Sequence, residues 1–244
     1  MRLFQTSRFI ILLILLAGST CLAFDHEYTE YAGLLSKYVA QGRVDYAAIL
    51  NDRQPLDNFL RECSEVAFDE YKTFSRARQI CFLTNLYNAS ALALILSRYP
   101  VESIQDLGSL FTSPWNRKSV SLFNHKVGLG HIQHDILRPE FNEPRLHFAI
   151  CSAARGGSHL LSEPYLPEKL EQQLVEAERD FMAARPEINF LSNGRLHLSQ
   201  IFMWYPDDFG GKSGVLKFVQ RFFPQVTSET EIIYNDFDWS LNSK

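Results

Sequence analysis

The residues best able to do chemistry in this chain lie between Gly130 and Ser158. His131 and His134 stand three apart in Gly130-His131-Ile132-Gln133-His134-Asp135, so on a helix they share a face, and His147 follows in Leu146-His147-Phe148-Ala149-Ile150-Cys151. Three imidazoles can hold zinc and leave an open position for water. No His-Glu-x-x-His is present, and no carboxylate or thiolate joins the set at ligand spacing. The reading therefore assigns no metal and no cofactor.

A nucleophile with a histidine base is the second chemistry these residues allow. Cys151 and Ser152 stand where the apolar run meets the small-residue loop Ala153-Ala154-Arg155-Gly156-Gly157-Ser158. A thiol or hydroxyl there needs an imidazole within hydrogen-bond reach, from His134 or His147, and an amide such as Asn85 or Asn88 can orient that base. The plainer alternative is that an apolar strand ends in a buried, inert cysteine and the loop is only a turn. Both readings stand on residue types alone.

The elements that must position these groups are mainly helical. Tyr31, Leu34, Leu35, Tyr38 and Val39 recur at helical spacing and Gly42 closes them; Leu56, Phe59 and Leu60 suggest a second helix after Pro55. The strongest pattern runs from Ser75 to Tyr99 and is closed by Pro100. Its apolar residues nearly encircle the axis, so Asn85 and Asn88 require hydrogen-bond partners outside the helix. Leu146 to Cys151 reads as a buried strand. Pro167 opens a helix through Leu170, Leu174, Ala177 and Phe181, and Val215 to Phe222 forms a last one before Pro224. Ile188–Leu191 and Arg195–Leu198 flank Ser192-Asn193-Gly194, a hairpin signal, and Ile232-Ile233-Tyr234 reads as a closing strand. The fold class is α+β: a mostly helical single domain with a small, mainly antiparallel sheet.

The N-terminus carries an address. Arg2 and Arg8 precede an uncharged run from Phe9 to Ala17, too short for the roughly 20 residues of a membrane-spanning helix, and Cys21 and Ala23 supply small side chains at alternate positions. Residues 1–23 read as a signal peptide and 24–244 as one globular domain of a periplasmic or secreted bacterial envelope protein. Cleavage removes two arginines and no acidic residue, taking the formal charge from −4 to −6. That balance excludes nucleic acid as a partner, and the mature chain has no membrane span. A small molecule, a peptide or a protein is left as ligand. With 46% apolar residues the chain can fill one core. Cys63, Cys81 and Cys151 remain, an odd number without Cys-x-x-Cys, so metal ribbons and thioredoxin-like redox chemistry lack support.

Six blocks carry a resemblance. Phe82-Leu83-Thr84-Asn85-Leu86-Tyr87-Asn88-Ala89, Tyr99-Pro100-Val101-Glu102-Ser103-Ile104, His134-Asp135-Ile136-Leu137-Arg138, Pro144-Arg145-Leu146-His147-Phe148-Ala149-Ile150, Leu198 to Tyr205 and Asp238 to Asn242 are colinear, and together they resemble the domain of unknown function 547 family. The resemblance implies a fold comparable, by analogy, with papain-like and transglutaminase-like thiol hydrolases. Typical members carry a glutamate before the histidine that matches His134 and two cysteines in the loop after the block that matches Leu146 to Ile150. Here Gln133, Ser152 and Gly157 occupy those positions, and Cys151 lies one place early. Two functions follow. One is a divergent thiol-hydrolase-like or acyltransferase-like cleft built from His134, His147, Cys151 and Ser152 with Asn88 in support. The other is a catalytically silent binding or scaffold protein that keeps the cleft.

Overall fold

A computed structural model describes residues 24–109 and 111–244 of the chain, so the expected signal peptide at residues 1–23 lies outside the described residues. The first helices are α1 (Thr29–Tyr38), α2 (Tyr46–Asn51), α3 (Gln54–Glu65) and α4 (Phe68–Thr73), with the hairpin β1 (Val39–Ala40) and β2 (Arg43–Val44) between α1 and α2. They surround α5 (Arg76–Leu96). Ser75 caps α5 by accepting a hydrogen bond from the Arg78 N–H, and every side chain from Ile80 to Leu92 is buried. By length and composition α5 could cross a membrane, with mean hydropathy 1.4, but 89% of that stretch is enclosed by the rest of the fold. It is the core helix of the domain.

A second hairpin, β3 (Val120–Leu122) and β4 (His125–Val127), leads into a π-helical turn at His131–Leu137, then α6 (Arg138–Phe141) and α7 (Leu146–Ala149). Beyond lie α8 (Leu170–Arg179), continued as π-helix to Ala184, then β5 (Phe190–Ser192), β6 (Arg195–Ser199), α9 (Ile201–Trp204), α10 (Gly211–Val219) and β7 (Ile232–Asn235). β5 and β6 pair antiparallel around Asn193 and Gly194, whose φ of 50° and 74° meet the need of a two-residue hairpin for two left-handed residues. β7 lies parallel to the other edge of β6, Leu196 opposite Ile232. The architecture is α+β and mostly helical, as expected, although the strands form three small sheets instead of one.

The expected strand at Leu146 to Cys151 is not a strand. Leu146–Ala149 forms one helical turn, with the His147 and Phe148 N–H groups donating to the carbonyls of Pro144 and Arg145 and Ile150 N–H to that of Leu146. A continuous apolar run has no period that separates a buried strand from a buried turn of helix. The seam between two hydrophobic clusters supplies the reason for the turn. Leu146 and Ala149 pack into the cluster around α5, while Phe148 joins Phe181, Phe202, Phe209 and Val219 in the second. Only a helical turn sends neighbouring side chains in those several directions. The helix expected from Pro167 begins three residues later, at Leu170.

Candidate functional site

α7 places His147 at the seam, 5% exposed, where its ring stacks on Tyr205 with centroids 4.5 Å apart. Its Nε2 lies 2.6 Å from Oδ2 of Asp208, which follows α9. Arg138 grips the same carboxylate in a fork, Nε to Oδ2 at 2.5 Å and Nη2 to Oδ1 at 2.9 Å, while its guanidinium lies over the Tyr205 ring at 4.7 Å. Burial lowers the pKa of His147 by more than the Asp208 hydrogen bond raises it, so the imidazole is neutral at pH 7. Ionised Asp208 can only accept, so the proton sits on Nε2 and the lone pair on Nδ1. That tautomer leaves Nδ1 able to act as a base.

The loop after α7 is held from three directions. Asn88 on α5 donates Nδ2–H to the Ala149 carbonyl at 3.1 Å and accepts the Cys151 N–H at 2.8 Å; Asn85 treats the backbone of Tyr165 in the same reciprocal way, at 2.9 Å each. Arg185, 6% exposed, donates to the carbonyls of Arg155 and Gly157. The C-terminal segment supplies the third tie, with Gly156 N–H donating to the Asp238 carbonyl and Asn242 N–H to that of Ala153. Ala153 takes the left-handed conformation at φ 60°, a strain of roughly 1 kcal/mol for a residue with a Cβ. Strain of this kind collects where a loop has a task beyond connection.

This framework turns Cys151 and Ser152 in opposite directions. Cys151 is 3% exposed, its Sγ 3.6 Å from the Asn242 amide, and burial pushes its thiol up to about 11. Ser152 is half-buried and lines a cleft of about 70 Å³ together with His147 and Gln133, walled by Trp115, Trp204, Phe237 and Trp239. Gly157 also faces that cleft, and a Cβ there would come within 2.7 Å of the Ser152 hydroxyl. Glycine is what lets the two ends of the loop close on each other.

His131 and His134 do not converge with His147 on one point. In the π-helical turn His131 is exposed and pairs with Asp135 at 2.7 Å. His134 is exposed and accepts from Arg138 at 3.3 Å, and it lies outside the cleft lining. Among the described residues no group of three or more His, Cys, Asp or Glu is placed to hold a metal ion. Of the five candidates from the sequence, His147 and Ser152 share the cleft and Asn88 braces their loop from behind, while His134 and Cys151 point elsewhere. Asp208 and Tyr205 were not among those candidates. Tyr205 ends the Leu198 to Tyr205 block that carries the resemblance, and Asp208 follows it as one of two acids in the aromatic segment Trp204-Tyr205-Pro206-Asp207-Asp208-Phe209.

Residues 71–182 match the model of a family described as protein of unknown function, DUF547. The matched stretch contains Asn88, His134, His147, Cys151 and Ser152, and Asp208 lies beyond it. No curated protein and no solved structure matches the chain.

Proposed function

The chain belongs to the DUF547 family through residues 71–182, and for this member we propose an exported hydrolase or acyltransferase of the bacterial envelope in which Ser152 is the nucleophile. The observation that carries the reading is the 2.6 Å bond between His147 and Asp208 beside the cleft that Ser152 lines. Asp208 holds the ring in the Nε2–H tautomer and Arg138 holds Asp208. Nδ1 of His147 takes the Ser152 proton as Oγ bonds to a substrate carbonyl carbon. It returns that proton to the leaving oxygen or nitrogen, and water or a second acceptor then releases the acyl group from Ser152. The aromatic walls favour an apolar or aromatic acyl group. Thiol chemistry is set aside for this member because Cys151 is buried away from the cleft with its pKa raised.

The test is covalent labelling. A fluorophosphonate is expected to modify Ser152 in the native protein, and His147→Ala should abolish the labelling while circular dichroism stays unchanged. Iodoacetamide should leave Cys151 unmodified between pH 5 and pH 9 until the protein is denatured. Rapid alkylation of Cys151 below pH 7 would overturn the choice of serine over thiol. One observation favours a second reading, a silent binding cleft: among the described residues no hydrogen bond joins Ser152 Oγ to His147. Absence of fluorophosphonate labelling in folded protein, with a ligand retained in native mass spectrometry, would establish that reading instead.

Export is proposed from the basic start, the short apolar run and the small residues at Cys21 and Ala23. N-terminal sequencing of protein from the envelope fraction should begin at Phe24, and an intact Met1 in the inner membrane would refute it.

A further inference from the structure

A second groove lies on the far side of α5 from the Ser152 loop, between α3, α5 and the β3–β4 hairpin, with a volume of about 400 Å³. α5 lends it one helical face, Leu86, Ser90, Ala93, Leu94 and Ser97. Small Ser90 and Ala93 at the middle of that face open the space, and Leu60 and Val120 add apolar surface from the neighbouring elements. Ser90 is 5% exposed, and its hydroxyl is buried with no hydrogen-bond partner among the described residues. A buried hydroxyl without a partner is costly, and this one belongs to a residue that lines a groove roomy enough to receive a polar atom.

The charge of the lining is one-sided. Arg53, Arg61, Arg117 and Lys126 line the groove, and no carboxylate does, in a chain whose formal charge is −4. Arg53 is engaged by Asp57, Arg61 touches Asn58 at 3.4 Å, and Lys126 donates to Ser121 at 2.5 Å. The Arg117 guanidinium makes no hydrogen bond among the described residues. Arginine suits a carboxylate or phosphate that it can grip with two N–H groups. The groove has the volume of an ordinary small-molecule site, and its apolar floor asks for hydrocarbon.

We propose that this groove binds an anionic amphiphile, a carboxylate or phosphate head on a short apolar chain. The head meets Arg61, Arg117 and Lys126, and the chain lies along Leu60, Leu86, Leu94 and Val120. The site stands apart from the Ser152 cleft and does not depend on any reaction there.

Isothermal titration of the purified protein with octanoate, octyl phosphate, inorganic phosphate and octyl glucoside tests the proposal. Octanoate or octyl phosphate should bind, and the tighter of the two tells whether a fatty acid or a phosphate ester is the natural source. Inorganic phosphate and octyl glucoside should each bind about tenfold more weakly or not at all, because each offers only half of the interaction. Rising ionic strength should weaken the octanoate complex. Arg61→Gln with Arg117→Gln should weaken it about tenfold, and Ser90→Leu should abolish it by filling the groove. Should Ser90→Leu fail to fold, Arg61→Glu decides, since Arg61 is exposed and a reversed charge there leaves the core alone. No binding of either anionic amphiphile, equal binding of octyl glucoside, or binding unchanged by the arginine substitutions would overturn the proposal.

Discussion

Asp208→Asn should slow the covalent labelling of Ser152 by about 10³-fold while leaving the protein folded. An asparagine fits the space, but it cannot offer two oxygens at once to Arg138 and His147. If its NH₂ turns toward His147, Nε2 must become the acceptor and the ring proton moves to Nδ1, the atom that has to receive the serine proton. If its NH₂ turns toward Arg138, donor faces donor in a site that now closes with a fork of 2.5 and 2.9 Å. Either arrangement spoils the base. A labelling rate equal to that of the unaltered protein would show that Asp208 has no part in activating Ser152.

The same variant has a signature in stability. Burial raises the Asp208 pKa, but the hydrogen bonds from His147 and Arg138 outweigh it and hold the carboxyl well below its ordinary 3.8. Its contribution is present above the unfolded value and is lost as pH falls through the folded one, since the unfolded chain takes up the proton first. His147 acts in the same direction at higher pH. Its folded pKa is lowered from 6.5, chiefly by burial, so the unfolded chain binds that proton first and stability falls as the solution is acidified below about 6.5. The melting temperature should therefore drop on acidification in an upper stage and again below about pH 4. Asp208→Asn should lack its share of the lower stage. Parallel melting curves for the two proteins between pH 4 and pH 2 would contradict this account.

Asn88→Leu should cost about 2–4 kcal/mol of stability, a fall of roughly 5–15 °C in melting temperature for a chain of this size. The leucine would leave two buried backbone groups unpaired, the Ala149 carbonyl and the Cys151 N–H, each worth about 1–3 kcal/mol when orphaned. Both belong to the turn that brings His147 and Ser152 to one cleft, so Ser152 labelling should fall with stability. Asn85→Leu is the control. It removes an equivalent pair of bonds to Tyr165, away from the cleft, and should lower the melting temperature by a similar amount without slowing the labelling. An Asn88→Leu protein that melts within a degree of the original would refute the bracing role, and equal labelling losses in both variants would reduce that role to general stability.

The framework was legible because its signals are local. Ser75 before a long apolar stretch and Pro100 after it bound the buried helix, the two polar asparagines within that helix demanded partners, and Asn193-Gly194 allowed hardly anything but a tight hairpin turn. The sequence by itself thus determined an α+β, mostly helical chain with α5 at its centre, and pointed to the residues around His147 and Ser152. Only the tertiary structure decided which of them work together. Leu146 to Ala149 turn as a helix because one core claims Leu146 and Ala149, three apart, and the other claims Phe148, and an unbroken apolar run carries no period to reveal that. Cys151 was claimed by the C-terminal segment through Asn242, 91 residues away, and its neighbour was left to the cleft. His147 found Asp208, 61 residues on, and His134 found Arg138 instead of a metal. Backbone preference acts over a turn or two of chain, whereas the partner of a buried polar group is chosen by whatever segments packing brings within about 3 Å, and no spacing in the sequence encodes that choice.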